Sequence, residues 1–208
     1  MKVLVGCERF GILRDAFAAH GHDAWSCDLV AAPGKHIRDD IRYIARPCNG
    51  WDIFIVHPDC TYLTVANTYM KRGCSKYTPE QAEVLREQAV GFFMDCIELV
   101  EKIGRGGAEN PVGIMSTRYR QPDQIIHPWQ FGDDASKATC LWLTGLPPLV
   151  PTKILPGGRW ARRANQTASG QNKLGPSEER AMLRAKTYPG IAAAMAEQWG
   201  SQEFAFLF

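Results

Sequence analysis

The strongest constraint on the fold is a short apolar run that stops at a proline just before a cysteine. Residues 53–56 (Ile-Phe-Ile-Val) are continuously apolar, and His57, Pro58, Asp59 and Cys60 follow them. Such a run is typical of a strand that is covered on both faces of a parallel sheet. Pro58 cannot donate a ladder hydrogen bond, so the strand must end there. Because ligands bind at the carboxyl ends of strands in open α/β sheets, we expect Cys60 at a ligand-binding edge.

Two interpretations of Cys60 are open from this stretch. A thiolate attacks carbon well and leaves again, so a cysteine at this edge is a candidate for covalent catalysis. Free cysteines are also among the most buried residue types, so a structural cysteine is the second interpretation. The remaining motifs of the chain bear on the choice between them.

Composition limits the classes of protein to which the chain can belong. Its 208 residues, 45% of them hydrophobic, suit one α/β domain over residues 1–208, with a loop-rich basic insertion at about 146–176. The net charge of +2 neither indicates a nucleic-acid partner nor excludes a local basic patch. Seven cysteines without a Cys-x-x-Cys pair argue against a disulfide framework and against a metal site. We expect a cytoplasmic protein without a signal peptide or a membrane span.

The N-terminal residues have the pattern of a β-α-β unit. Residues 2–8 read as a strand that runs into a turn, Gly11 precedes a helix, and residues 23–29 read as a second strand with Asp28 at its tip. A glycine turn lets a ligand approach the backbone, and a carboxylate at that tip accepts hydrogen bonds from ribose hydroxyls. A full Gly-x-Gly-x-x-Gly pattern is missing, so an ordinary β-α-β unit and a nucleoside site are both open interpretations.

A long helix and a second unusual stretch follow the Cys60 strand. Residues 61–78 are polar and basic, and Thr78 with Gln81 forms a capping box for a helix that glycines end at about residue 104. The stretch that follows contains Glu109 and Asn110 and is expected to end at Pro111. In a parallel sheet these side chains would lie at a carboxyl edge near Cys60, whereas a solvated loop acid is the alternative.

The C-terminal half breaks the parallel pattern. Residues 116–120 are expected to be extended, with alternate arginines on one face, and residues 124–132 and 138–143 are expected to form an antiparallel hairpin. Residues 146–176 are interpreted as a mobile loop or as a clamp that faces phosphate groups. A last helix is expected to begin at Ser177, to break at Pro189 and to resume as far as about Trp199. We therefore predict a Rossmann-like α/β fold, with a mostly parallel sheet, an antiparallel end and helices on both faces.

In this order the stretches resemble the cytosine-C5 DNA methyltransferases, and more closely their short phage- and prophage-encoded group, which lacks a large target-recognition domain. The resemblance runs nearly end to end, through Trp199. It rests on Cys7-Glu8 with Gly11, Asp28, Asp40-Ile41, His57-Pro58-Asp59-Cys60, Glu109-Asn110-Pro111, residues 116–120, residues 127–132, the run 137–148 and residues 188–192. It implies a methyltransferase sheet, S-adenosyl-L-methionine as cofactor, DNA as substrate and the cytoplasm of a bacterial host as location.

The same resemblance implies a role for each matching residue. The catalytic residues would be Cys60, which attacks C6 of cytosine; Glu109, which holds the N3 and amine edge; Arg118, which pairs with Glu109; and Arg120, which faces the ring oxygen. The cofactor-binding residues would be Cys7, Glu8, Gly11, Asp28, Asp40 and His57. The substrate-binding residues would be Asp59, Asn110, Arg162 and Arg163. A base in a duplex must be flipped out to reach such a pocket.

Several departures from the family pattern, including Thr61 where the family has glutamine, keep other functions open. Asp59 stands where the family has proline, and a carboxylate there is expected to raise the pKa of the neighbouring thiol. Ser116 stands where the family has glutamine, and only residues 121–176 remain for reading a target sequence. The alternatives are the same scaffold acting on a free pyrimidine nucleotide or in another C5 reaction, or a non-catalytic relative that binds nucleic acid or cofactor.

Overall fold

The structure is a computed structural model that describes residues 1–64, 77–158 and 185–201. Seven strands are present in it: β1 (Lys2–Gly6), β2 (Asp23–Asp28), β3 (His36–Arg38), β4 (Ile53–Val56), β5 (Gly106–Pro111), β6 (Gln124–Ile126) and β7 (Thr139–Thr144). The α-helices are α1 (Ile12–Ala19), α2 (Ile41–Ile44), α3 (Pro79–Ile103), α4 (Met115–Arg118) and α5 (Pro189–Gly200). Short 3-10 helices lie at Pro47–Asn49 and Pro128–Gln130.

The strands form one sheet in the order β3-β2-β1-β4-β5-β7-β6. Strands β1 to β5 run parallel to one another, whereas β7 is antiparallel to both β5 and β6. This arrangement confirms the predicted Rossmann-like α/β fold with an antiparallel end. The expected hairpin is confirmed as the β6–β7 pair, although β6 ends at Ile126 because Pro128 starts a 3-10 turn.

The register of the parallel strands aligns their carboxyl ends. Gly6 in β1 pairs with Val56 in β4, and Val56 pairs with Ala108 in β5. The residues one step farther along, His57 and Glu109, therefore lie next to each other beyond the same row. The chain leaves β1 toward β2 on one side and leaves β4 toward β5 on the other side. Proteins with α/β sheets bind ligands at a sheet edge of this kind.

Helices cover both faces of the sheet, as the sequence predicts. Ile53 and Ile55 point to the face that α1 and α5 cover, while Phe54 and Val56 point to the face of α2, α3 and α4. All four side chains are at most 1% exposed, which explains why the strand has no polar position. The predicted capping box of α3 is confirmed, because the side chains of Thr78 and Gln81 each accept a hydrogen bond from the other residue's backbone N–H.

The segment at residues 116–120 differs from its prediction. It is not extended: residues Met115–Arg118 form the helical turn α4, with the N–H groups of Thr117 and Arg118 bonded to the carbonyl of Ile114. Met115 is 1% exposed and packs with the residues of α3. Burial of this single apolar side chain decides the local conformation, whereas the alternating arginines that suggested a strand are surface residues.

The last helix begins at Pro189, in the first-turn position that proline favours, and ends at Gly200. Gly190 allows a close approach at this start, because a Cβ there would lie 2.0 Å from the carbonyl oxygen of Phe131. Its N–H donates to Asp133 Oδ2 at 2.9 Å, which fixes the start of α5 near the sheet edge. The predicted cap at Ser177 lies outside the described residues. In the described part of the chain, no helix combines the length and apolarity needed to cross a membrane.

Candidate functional site

Cys60 lies in a tight turn directly after β4. The N–H groups of Leu63 and Thr64 both bond to the carbonyl of Cys60, at 3.0 and 3.1 Å. This turn is held against the segment that follows β5, because Ile114 N–H donates to Leu63 O and Thr64 bridges to Gly113. Cys60 as a residue is partly exposed, unlike the fully buried Cys27, Cys96 and Cys140.

Asn110 ties the Cys60 turn to β5. Its Nδ2 donates to the carbonyl of Pro58 at 2.8 Å, and the side chain is only 1% exposed. Its Oδ1 is buried and has no hydrogen-bond partner among the described residues. Asn110 therefore fixes the position of the cysteine loop on β5.

The charge environment of Cys60 has contributions of both signs. Burial raises the pKa of the Cys60 thiol, and the carboxylates of Asp59 and Glu109 raise it further. Lys137 acts in the opposite direction and lowers this pKa. The thiol is therefore protonated in the resting protein, and a thiolate forms only at a cost in free energy.

Asp59 has a structural contact that the sequence analysis did not identify. Its Oδ1 accepts hydrogen bonds from the backbone N–H of Thr61 at 2.9 Å and from the Thr61 hydroxyl at 2.6 Å. This is the local side-chain turn that aspartate favours in loops. Asp59 thus shapes the turn that carries Cys60.

His57 and Glu109 form a buried pair at the ends of β4 and β5. The His57 Nδ1 and Glu109 Oε2 atoms lie 2.6 Å apart, and the two side chains are 13% and 16% exposed. Burial disfavours the charged form of each residue, but their mutual hydrogen bond and attraction outweigh it. The pKa of His57 is raised and the pKa of Glu109 is lowered, so the two residues form an ion pair.

The observed partner of Glu109 is His57 and not Arg118, the partner that was predicted. Arg118 instead donates to Glu87 on α3 at 2.5 Å, and Arg120 binds Asp123 at 2.8 and 2.9 Å. The prediction that Arg118 pairs with Glu109 is therefore wrong. The structure does not bring either arginine to the pair, because α4 directs Arg118 toward α3.

Glu8, predicted as a cofactor contact, is engaged by the first turn of α1. Its Oε1 accepts from Leu13 N–H at 2.6 Å and its Oε2 from Arg14 N–H at 3.2 Å. The side chain is buried, which raises its pKa, while the nearby His57 and the two N–H bonds lower it. Glu8 thus satisfies N–H groups that the helix start would leave unpaired.

Gly11 is a glycine for two reasons that do not involve a ligand. Its φ of +67° is in the left-handed region, and a Cβ there would lie 2.2 Å from Nη2 of Arg14. Arg14 is 5% exposed and donates to Ser26 Oγ at 3.0 Å and to the Pro33 carbonyl at 2.9 Å. The expected room for a ligand at this face of Gly11 is therefore filled by Arg14, which the sequence analysis did not single out.

Asp28 and Asp40 lie near Cys7 at the carboxyl ends of the first strands. Cys7 is the one non-glycine residue with a positive φ, 56°, in the described ranges. Burial raises its pKa well above the usual value, with Cys96, Asp28 and Asp40 among the contributing neighbours. Asp40 caps α2 and binds Arg42 at 2.6 Å, so its carboxylate is engaged. Asp28 bonds through Oδ1 to Val30 N–H at 2.9 Å.

A small pocket of about 10 Å³, roughly the room that one water molecule needs, lies beside the ion pair at the start of α5. Its lining includes His57, Glu109, Lys137, Lys186 and Tyr188. Sequence reasoning gave no role to the two lysines, since neither stands in a motif with a stated chemical purpose. Arg162 and Arg163, predicted to bind substrate, lie outside the described residues. Within the described ranges, no group of three or more His, Cys, Asp or Glu residues is arranged to hold a metal ion.

The fold and this edge define the class of the protein as a Rossmann-like α/β protein with a thiol, a carboxylate and an imidazole gathered at the ends of β4 and β5. No protein-family model matches the chain, and no curated protein matches it.

Proposed function

We propose that the protein is an S-adenosylmethionine-dependent methyltransferase that modifies C5 of cytosine in DNA through a covalent adduct with Cys60. The observation that carries the proposal is the joint placement of Cys60 and Glu109 at the ends of adjacent parallel strands. The Asn110–Pro58 bond of 2.8 Å and the His57–Glu109 contact of 2.6 Å hold the two loops together. The motif resemblance supplies the chemistry that would use this pair.

Cys60 has the role of nucleophile in this proposal. Cytosine C5 is too poor a nucleophile to take a methyl group directly, whereas attack of a thiolate at C6 makes C5 enamine-like. Cys60, a partly exposed residue in a turn fixed at both ends, suits such an attack. Its raised pKa means that the thiolate is a minor form, which lowers the rate at neutral pH.

Glu109 has the role of recognising the base. A carboxylate at this position can hold the exocyclic amine and can carry a proton to N3 as negative charge develops on the ring. Asn110, the next residue on the strand, holds the Cys60 turn beside Glu109 through its bond to the Pro58 carbonyl. Both side chains are held by the rigid sheet rather than by a loop, which favours an accurate position.

Asp28, at the end of β2, supports the proposed cofactor. The Oδ2 atom of Asp28 has no hydrogen bond within the described residues, and it stands at the strand end where a ribose hydroxyl would be bound. Leu29, the next residue, is 69% exposed and offers apolar surface for a purine ring. S-adenosylmethionine, when bound, supplies an electrophilic methyl group. Cys7, which lies near Asp28 and Asp40, turns the chain out of the sheet at this point.

The test is methyl transfer from radiolabelled S-adenosylmethionine to duplex DNA, single-stranded DNA and free deoxycytidine monophosphate. We expect label in DNA with the wild-type protein and none with Cys60→Ser, while Cys48→Ser, which changes an exposed thiol elsewhere, keeps the wild-type rate. Calorimetry should show cofactor binding that Asp28→Ala weakens. Label in the mononucleotide alone would favour the free-nucleotide alternative, and no label in any substrate would refute the proposal.

A further inference from the structure

The His57–Glu109 pair has one feature that a simple structural ion pair would not need. The contact uses Oε2 of Glu109 and leaves Oε1 without a bond to any described residue. On the other side, Nε2 of His57 is buried and lacks a hydrogen-bond partner in the described ranges. The pair is thus held through a single hydrogen bond, and the second oxygen of the Glu109 carboxylate makes no hydrogen bond to a described residue beside the pocket.

The charges around His57 come from four parts of the chain. Glu109 on β5 and Glu8 in the β1–α1 loop are acidic, whereas Lys137 before β7 and Lys186 before α5 are basic. Burial and Lys137 disfavour the imidazolium, and the two carboxylates favour it. Since the direct bond is to Glu109, the proton on Nδ1 depends on that carboxylate.

We propose that His57 is the positioning residue of Glu109 and stores the proton that Glu109 delivers to the ring nitrogen of the pyrimidine. This inference rests on the proposed function and assigns to His57 the place that the motif resemblance gave to Arg118. An arginine could orient the carboxylate but could not release a proton at working pH. A histidine can do both, because its charge changes near neutral pH.

Every proton in the attack of Cys60 on the ring is accounted for. The Cys60 thiol first loses its proton to solvent, and the thiolate then forms a bond from Sγ to C6. The C5–C6 π electrons shift so that negative charge develops at N3. The proton on Nδ1 of His57 passes to Oε2 of Glu109. The carboxylic acid then turns about its Cγ–Cδ bond, and the same proton passes from Oε2 to N3. The adduct is left with a neutral ring, a neutral imidazole and an ionised Glu109.

Two measurements test this proposal, and the first does not need activity. We would follow the His57 imidazole by NMR as a function of pH in the wild-type protein and in Glu109→Gln. The pKa of His57 should lie above its ordinary value of 6.5 and should fall in the variant. His22, which lies at the opposite end of the sheet before β2, should titrate identically in both proteins. An unchanged His57 pKa would overturn the pairing.

The second measurement is the pH profile of single-turnover methyl transfer. In the wild-type protein the rate should rise with pH through the growing thiolate fraction and level off at the pH at which His57 titrates. His57→Asn keeps an N–H donor near the position of Nδ1 but has no proton to transfer. It should lower the rate about 100-fold and lose the break at that pH.

The outcomes separate the two claims. The same break in His57→Asn, or no break in the wild-type protein, would refute the role of His57 while leaving methyl transfer intact. A protein whose His57 is coupled to Glu109 but which methylates no pyrimidine would refute the proposed function, and the proton transfer to the ring with it.

Discussion

Replacing Asn110 by alanine should destabilise the protein, because the amide holds the cysteine turn on the sheet. The Asn110 side chain is 1% exposed and donates to the Pro58 carbonyl at 2.8 Å. Its removal leaves a carbonyl without its partner in a buried environment, which costs about 2 kcal/mol. For a domain of this size, that loss lowers Tm by about 4–8 °C.

The chain contains a matched control for this prediction. The Nδ2 atom of Asn49 also donates to a carbonyl at 2.8 Å, that of Ile44, but Asn49 is exposed. Water can replace that bond, so Asn49→Ala should change stability by less than about 0.5 kcal/mol. Differential scanning calorimetry of both variants measures the contrast. Equal shifts, or an Asn110→Ala protein as stable as wild type, would refute the idea that burial of this bond fixes the turn.

Three further perturbations have defined directions. Cys7→Gly should be about 1 kcal/mol more stable than Cys7→Ala in urea unfolding, because only glycine accepts the φ of 56° without strain; equal stabilities would contradict this. Asp59→Asn keeps the turn acceptor but removes a charge that raises the Cys60 pKa, so Cys60 alkylation at neutral pH should speed up; Asp59→Ala, which also loses the turn, is the comparison. Because the Glu109 pKa is lowered and the His57 pKa is raised, the stability from their pair is complete between pH 4.5 and 6.5 and is lost on either side. Glu109→Gln should therefore cost most in that window, and a pH-independent cost would argue against an ion pair.

The sheet could be predicted from the sequence because its signals are local. Each element has a local hydrophobic pattern or a residue that marks its start or end. This holds for the apolar run 53–56, the Thr78 cap and the two C-terminal strands. The order in which these strands align then follows from chain connectivity, which brings Cys60 and Glu109 to the same edge. The placement of Cys60 and Glu109 at one sheet edge could therefore be predicted from the sequence alone.

The partners of the site residues could not be predicted, because they depend on contacts distant in sequence. His57 and Glu109 are 52 residues apart, and so are Pro58 and Asn110. Arg118 could pair with any acid within reach, and the α4 turn places Glu87 there. The filling of the Gly11 turn by Arg14 depends on burial of an arginine that a helical pattern would assign to solvent.

The most direct test of the central claim is to trap the Cys60 adduct with a substrate that cannot release it. Cytosine that carries fluorine at C5 has no proton there to lose, so the final elimination is blocked and the covalent complex persists. Peptide mass spectrometry after incubation with S-adenosylmethionine and fluorinated DNA should show methylated fluorocytosine attached to Cys60, with no adduct in Cys60→Ser. Methyl transfer to ordinary DNA without any trapped adduct, or an adduct on another residue, would contradict the account.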